Sequence, residues 1–154
     1  MNRIDERPLW YGGVGALRHP AMLHETGVEA VVFLAADLFD PPGRESIVCR
    51  VPLVDGAGNA PCRLRLAVDI AAALIAGDVP TLVCCSNGMS RSPAIVAAAL
   101  ATVDGGSPDE HLKRIALGRA ADVSPALWRE VLDAIARGLP AARDERLNSP
   151  RIAE

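Results

Sequence analysis

The chain has 154 residues, half of them apolar, with 19 acidic against 16 basic side chains and a formal charge of −3. That length fits one ordinary domain and closes a hydrophobic core without disulfide or metal staples. Mild acidity excludes a surface built to grip nucleic-acid phosphates, and no apolar run approaches the roughly 18 to 20 residues of a membrane span.

In chain order, the charged start Met1–Arg7 lacks the apolar segment of a secretory signal. Leu9-Trp10-Tyr11 is a short strand ending in Gly12-Gly13, and Pro20 to Thr26 reads as a short helix closed by Gly27. Val28 to Leu34 is rich in β-branched residues and reads as a buried strand. Pro41-Pro42-Gly43 marks a loop, Ile47 to Val51 the next strand, and Asp55 to Pro61 a turn-rich segment.

From Leu64 the spacing becomes helical, with Leu64, Ala67, Val68, Ala71, Ala72 and Ile75 on one face and Gly77 as the stop. Val79 to Cys84 is a short apolar strand. Ser92 to Val103 is apolar almost all round, which predicts a central helix buried on most sides. Ser107-Pro108-Asp109-Glu110 combines a cap, a first-turn proline and a capping-box acid. Ser124-Pro125 opens a last helix that turns Leu127, Trp128, Val131, Leu132 and Ile135 inward and stops at Gly138. Residues 1–139 thus form one domain, and the charged segment 140–154 is expected to be a flexible tail. Strands alternating with helices predict a three-layer α/β/α fold with a mostly parallel sheet.

The four cysteines, Cys49, Cys62, Cys84 and Cys85, contain no C-x-x-C pair and are too few for a disulfide scaffold. A reducing cytoplasm is the expected location. Cys49 and Cys62 are expected to pack as small hydrophobes.

Chemistry concentrates in Leu82-Val83-Cys84-Cys85-Ser86-Asn87-Gly88-Met89-Ser90-Arg91-Ser92-Pro93, between a buried strand and a buried helix. Strand carboxyl ends are where α/β sheets hold ligands. Small residues and a glycine let consecutive backbone N–H groups turn around an anion, and the following helix adds its positive end. Arg91 offers a planar fork for two phosphate oxygens. Cys85 stands where such a ring of donors favours a thiolate. Nucleophile, cradle and cation within seven residues suit attack on a phosphomonoester.

Cys85 to Arg91 fits the C-x5-R signature, and Gly88, Ser90, Arg91 and Ser92 stand where dual-specificity phosphatases, a branch of the cysteine-dependent protein tyrosine phosphatases, have them. Leu9 to Gly12, Thr26 to Val32 and Val51-Pro52-Leu53-Val54-Asp55 also resemble segments of that family, so the likeness runs from about Ile4 to Gly138. The resemblance implies a two-step, metal-independent hydrolysis that needs no cofactor. Cys85 would be the nucleophile, Asp55 the general acid and base, and Arg91 with the amides of Ser86 to Arg91 the phosphate cradle. Ser92 would help the sulfur depart. The family's His before the nucleophile is Cys84 here.

Bland readings stand beside these. Cys85 alone is compatible with a buried structural thiol, and Asp55 before Gly56 is an ordinary turn former. Asp69 is the substitute acid, Ser90 and Ser92 could be helix caps, and Cys84 with Cys85 could form a redox pair. His19, His24 and His111 have no partner at useful spacing. The alternatives to an enzyme acting on phosphotyrosine, phosphoserine or phosphothreonine are three: a phosphate-binding module without turnover, a phosphatase for a non-protein phosphate, and a sulfur-transfer or redox enzyme using a similar anion loop. By the same resemblance, the neutral residues between Cys85 and Arg91 imply phosphoprotein substrates, since phosphoinositide and RNA-end phosphatases of that superfamily tend to carry Lys or Arg there. Neither nucleic acid nor membrane is an expected partner, and a monomer is expected.

Overall fold

The computed structural model describes residues 1–5, 7–36, 46–117 and 121–137. Its strands are β1 (Asn2–Arg3), β2 (Leu9–Gly13), β3 (Ala30–Phe33), β4 (Ile47–Arg50) and β5 (Thr81–Cys85). They form one sheet in the order β1-β2-β5-β3-β4, parallel except where β1 runs against β2. β5 is therefore central, with Gly12 and Gly13 of β2 level with Cys84 and Cys85. β1 has no counterpart in the sequence reading, because two residues carry no periodicity. The expected Pro41-Pro42-Gly43 loop, the stop at Gly138 and the tail 140–154 lie outside the described residues.

The pleat decides which side chain enters which layer, since successive residues point to opposite faces. Tyr11, Val32, Val83 and Cys85 join a core with α2 (Pro61–Ala76), α3 (Arg91–Asp104), α4 (Pro108–Ala116) and α5 (Pro125–Ala136). Trp10, Val31, Phe33, Leu82 and Cys84 form a second cluster under α1 (Pro20–Glu25) and the 3-10 turn Val14–Arg18. The three-layer α/β/α arrangement follows. Each fully buried Val, Leu or Ile contributes roughly 1.5–3 kcal/mol.

Helix α3 is buried from Arg91 through Leu100 and touches α2, α4, α5, β2 and β5. That contact on all sides explains its all-apolar sequence. α2 begins at Pro61, three residues before the apolar stripe, because proline's fixed φ suits a first helical turn. Its buried face is the one read from the sequence, Leu64 through Ile75. Cys62 lies two residues before that stripe, on the opposite side of the helix, and is exposed rather than packed. Cys49, on edge strand β4, is half-buried.

Ser107 caps α4 as expected, accepting from the Asp109 N–H at 3.2 Å. In α5 the deepest residues are Leu127, Val131 and Ala134, while Trp128, Leu132 and Ile135 are half-buried. Trp128 reaches the rim, where its indole N–H donates to Asp109 Oδ1 at 2.7 Å. Among the described residues no helix is long and apolar enough to cross a membrane.

Candidate active site

β5 ends at Cys85, residues 86–90 turn back, and α3 starts at Arg91. The turn lies directly against the end of β2. Gly88 has φ +75°, and a Cβ there would stand 2.3 Å from the Gly12 carbonyl carbon and 2.4 Å from the Gly13 nitrogen. A Cβ on Gly13 would in turn meet the Ser86 carbonyl oxygen at 2.8 Å. Three glycines thus let two backbones touch with no side chain between them.

Hydrogen bonds fasten the turn on both sides. Val14 N–H donates to Ser86 O at 3.3 Å, and the Ser92 hydroxyl to Gly12 O at 3.2 Å. Across the turn, Asp122 N–H donates to Met89 O at 2.8 Å and Ser124 N–H to Ser90 Oγ at 3.3 Å.

Inside this frame the Gly88 N–H donates to Cys85 Sγ at 3.2 Å. The N–H groups of Asn87, Met89, Ser90 and Arg91 have no acceptor among the described residues. Arg91 is 8 % exposed. Its Nη2 donates to Ser86 Oγ at 2.9 Å and its Nη1 to Leu53 O at 3.2 Å, while its buried Nε has no hydrogen-bond acceptor among the described residues. Asp55 Oδ2 lies 3.7 Å from that Nε, with 45 % of the Asp55 side chain exposed. Buried polar groups are nearly always paired. The buried Arg91 Nε, with only the distant Asp55 carboxylate near it, and the open amides of the turn that follows Cys85 therefore make that turn a candidate seat for an anion with several oxygens.

Cys85, the turn Ser86–Ser90, Arg91 and Asp55 thus come together although Asp55 precedes Cys85 by thirty residues. Asp69 does not join them; Arg65 grips both its oxygens at 2.8 and 2.9 Å on α2. The Ser92 hydroxyl rests on Gly12 O rather than on the sulfur. Ser90 precedes α3 without a side-chain capping bond. Cys84 packs on the opposite face of the sheet from Cys85, which removes the redox pairing. Burial, and then the neighbouring charge of Cys85, push the Cys84 thiol up to about 12, so it stays protonated. His111 has a structural task, with Nε2 2.9 Å from Gly105 O.

Sequence reasoning missed what holds Asp55. The Asn59 side chain bridges the loop: Oδ1 accepts from Val54 N–H at 2.7 Å, and Nδ2 donates to Gly56 O at 3.0 Å and Val54 O at 3.2 Å. Glu130 of α5 accepts from Gly58 N–H at 2.8 Å and from Asn59 N–H at 3.0 Å. Those two amide bonds, Gly58 first, hold the Glu130 carboxyl below its ordinary range. No local pattern announces Glu130, which is simply a polar residue on the outer side of a helix.

No protein-family model matches the chain, and no curated protein matches it. Solved structures do. Human DUSP28 superposes with a TM-score of 0.74 at 23% identity, over 84% of this chain and 92% of that one. The fold is that of the dual-specificity phosphatases. A mouse putative dual specificity phosphatase, solved with zinc tungstate, gives 0.74 at 23% identity over 84% and 83% of the two chains. The Orf virus tyrosine phosphatase OH1 gives 0.66 at 22% identity over 88% and 85%. The dual-specificity phosphatase fold accounts for the parallel sheet and for the turn between β5 and α3.

Proposed function

We propose that the chain is a cysteine-dependent phosphomonoester hydrolase acting on phosphotyrosine, phosphoserine or phosphothreonine in proteins. One observation carries this reading: the sulfur of Cys85 accepts the Gly88 N–H within a turn whose Asn87, Met89, Ser90 and Arg91 amides and buried Arg91 Nε have no hydrogen-bond acceptor among the described residues. A phosphoryl group seated there has its phosphorus facing the sulfur and its equatorial oxygens on the amides and the guanidinium.

The Cys85 thiolate attacks phosphorus, a sulfur–phosphorus bond forms, and the phosphorus–oxygen ester bond breaks. Its electron pair leaves on the alcohol oxygen, which takes a proton from Asp55. The Asp55 carboxylate then removes a proton from water as that water attacks phosphorus, and the sulfur departs from inorganic phosphate. Proton transfer of this kind is worth about 10²–10⁴-fold. Fixed donors aimed at the developing charge supply much of the rest. Ser92 assists the second step by exchanging Gly12 O for the departing sulfur as its acceptor.

The turn between Cys85 and Arg91 holds only neutral side chains, which fits a single phosphate group better than a polyphosphorylated headgroup. Five aromatic residues in the whole chain favour a shallow cleft that accepts several phosphoamino acids. A reducing compartment such as the cytoplasm suits a reaction that needs a free thiol, and the reading is of a monomer whose catalytic domain ends near residue 139.

Hydrolysis of p-nitrophenyl phosphate and of a phosphopeptide set, with and without vanadate, tests the proposal. Vanadate-sensitive turnover that Cys85→Ser abolishes, with vanadate still bound by the variant, is the expected result. Vanadate binding by the wild type without turnover would replace the enzyme with a phosphate-binding module.

A further inference from the structure

The loop that presents Asp55 has almost no packing of its own. Gly56 and Gly58 have φ of +146° and +99°, and a Cβ built on either would meet nothing within 4 Å. Such a loop has many conformations open to it. What selects one is polar. Asn59, 9 % exposed, closes the ring from Val54 to Gly56 with three side-chain hydrogen bonds. Glu130 then ties that ring to α5 through two backbone amides and, at 3.2 Å, Asn59 Nδ2. α5 is itself anchored in the main core by Leu127 and Val131. The loop is thereby referenced to the same rigid body as the turn around Cys85.

We propose that Asn59 and Glu130 are positioning residues that form a polar latch, holding Asp55 at the mouth of the anion seat in the geometry that proton transfer requires. This inference rests on the reading of Asp55 as the general acid. Neither residue touches the phosphate seat; both act through Asp55. The chemistry of the latch is specific. A carboxylate offers two acceptor oxygens to two adjacent N–H groups, Gly58 and Asn59, and an amide in its place offers only one.

A positioning residue leaves a signature that general destabilisation does not. Protonation matters most when the departing oxygen is a strong base, so loss of the latch should discriminate between leaving groups. The experiment compares phenyl phosphate with p-nitrophenyl phosphate for wild type, Glu130→Ala, Glu130→Gln, Asn59→Ala, Asp55→Asn and the double variant Asp55→Asn/Glu130→Ala. With folding checked by melting and by vanadate affinity, Glu130→Ala should lower kcat/KM, which reports the ester-cleaving step, about 10-fold or more on phenyl phosphate and less than about 3-fold on p-nitrophenyl phosphate. Glu130→Gln should fall between it and wild type, and Asn59→Ala should behave like Glu130→Ala. In the double variant the Glu130 substitution should add nothing to the loss already caused by Asp55→Asn.

Equal losses on the two esters, no loss on either, or a Glu130 effect that multiplies with Asp55→Asn would overturn the latch. Should Glu130→Ala not fold, the same comparison with Glu130→Gln decides. If Asp55→Asn itself shows no preference between leaving groups, the general-acid assignment falls first and the latch falls with it.

Discussion

Replacing Gly88 by alanine tests the contact on which the anion seat is built. Two costs follow from its geometry. Alanine at φ +75° sits in the left-handed region, at roughly 1–2 kcal/mol. The new Cβ stands 2.3 and 2.4 Å from backbone atoms of Gly12 and Gly13, whereas carbons rest about 3.5–4.0 Å apart. Backbone must therefore move by more than about 1 Å, and overpacking of this kind costs roughly 1–3 kcal/mol.

The sum, about 2–5 kcal/mol, is less than many domains have to lose, so the chain should fold with Tm lowered by roughly 5–15 °C. Activity should suffer more than stability, because a displacement of about 1 Å at a reacting centre costs about 100-fold. Two comparators separate the causes. Gly27→Ala meets the same kind of backbone strain at φ +71° with nothing within 4 Å, and should lower Tm by the smaller amount while leaving kcat/KM unchanged. Gly13→Ala has no positive φ but contacts at 2.8 to 3.0 Å, and should fall between the two in its effect on activity. Calorimetry, kcat/KM on p-nitrophenyl phosphate and vanadate affinity read the series. A Gly88→Ala protein with kcat/KM within about twofold of wild type would refute the account of the seat.

Other consequences follow from the thiols and the latch. Because burial keeps the Cys84 thiol protonated to about 12 rather than its ordinary 9.0, its contribution to stability is complete below about pH 9 and drains away as pH rises toward 12. That gap amounts to at most roughly 4 kcal/mol, so urea midpoints of wild type should fall faster above pH 9 than those of Cys84→Ala; parallel curves would count against it. Alkylation at neutral pH, read by peptide mass, should modify exposed Cys62 readily and Cys84 hardly at all. Activity should follow the loss of free Cys85 and be unchanged in Cys62→Ser. The depressed Glu130 carboxyl implies that the latch is intact above the ordinary glutamate range and is lost as pH falls through the lower, folded value. Hydrogen exchange at the Gly58 and Asn59 amides should therefore be slower in wild type than in Glu130→Gln near neutrality. The difference should close once acidification has gone well below the ordinary glutamate range, and a difference that persists there would argue against the ion as the acceptor.

The parts of this site that sequence alone revealed are those written contiguously. Cys85 to Arg91 is one turn between an apolar strand and an apolar helix, and both periodicities are strong enough to be read without a fold. Asp55 needed the family likeness, since an aspartate before a glycine looks like any turn. What stayed hidden depends on contacts between distant segments. Gly88 meets Gly12 and Gly13 only because β2 and β5 are neighbours in the sheet. Glu130 meets Asn59 only because α5 packs beside the start of α2. The misplacement of Cys62 has a similar origin: a cysteine near an apolar stripe looks buried until the turn of the helix fixes which side it occupies.

Cys84 and Cys85 are adjacent in sequence yet stand back to back across the sheet. Because β5 is bonded to a neighbour along both edges, neither residue could swing round without breaking ladder hydrogen bonds. A peroxide that converts Cys85 to its sulfenic acid therefore finds no rescue from the thiol next door. Recovery would have to come from some other thiol, or from a backbone nitrogen through a sulfenamide, before further oxidation makes the damage permanent.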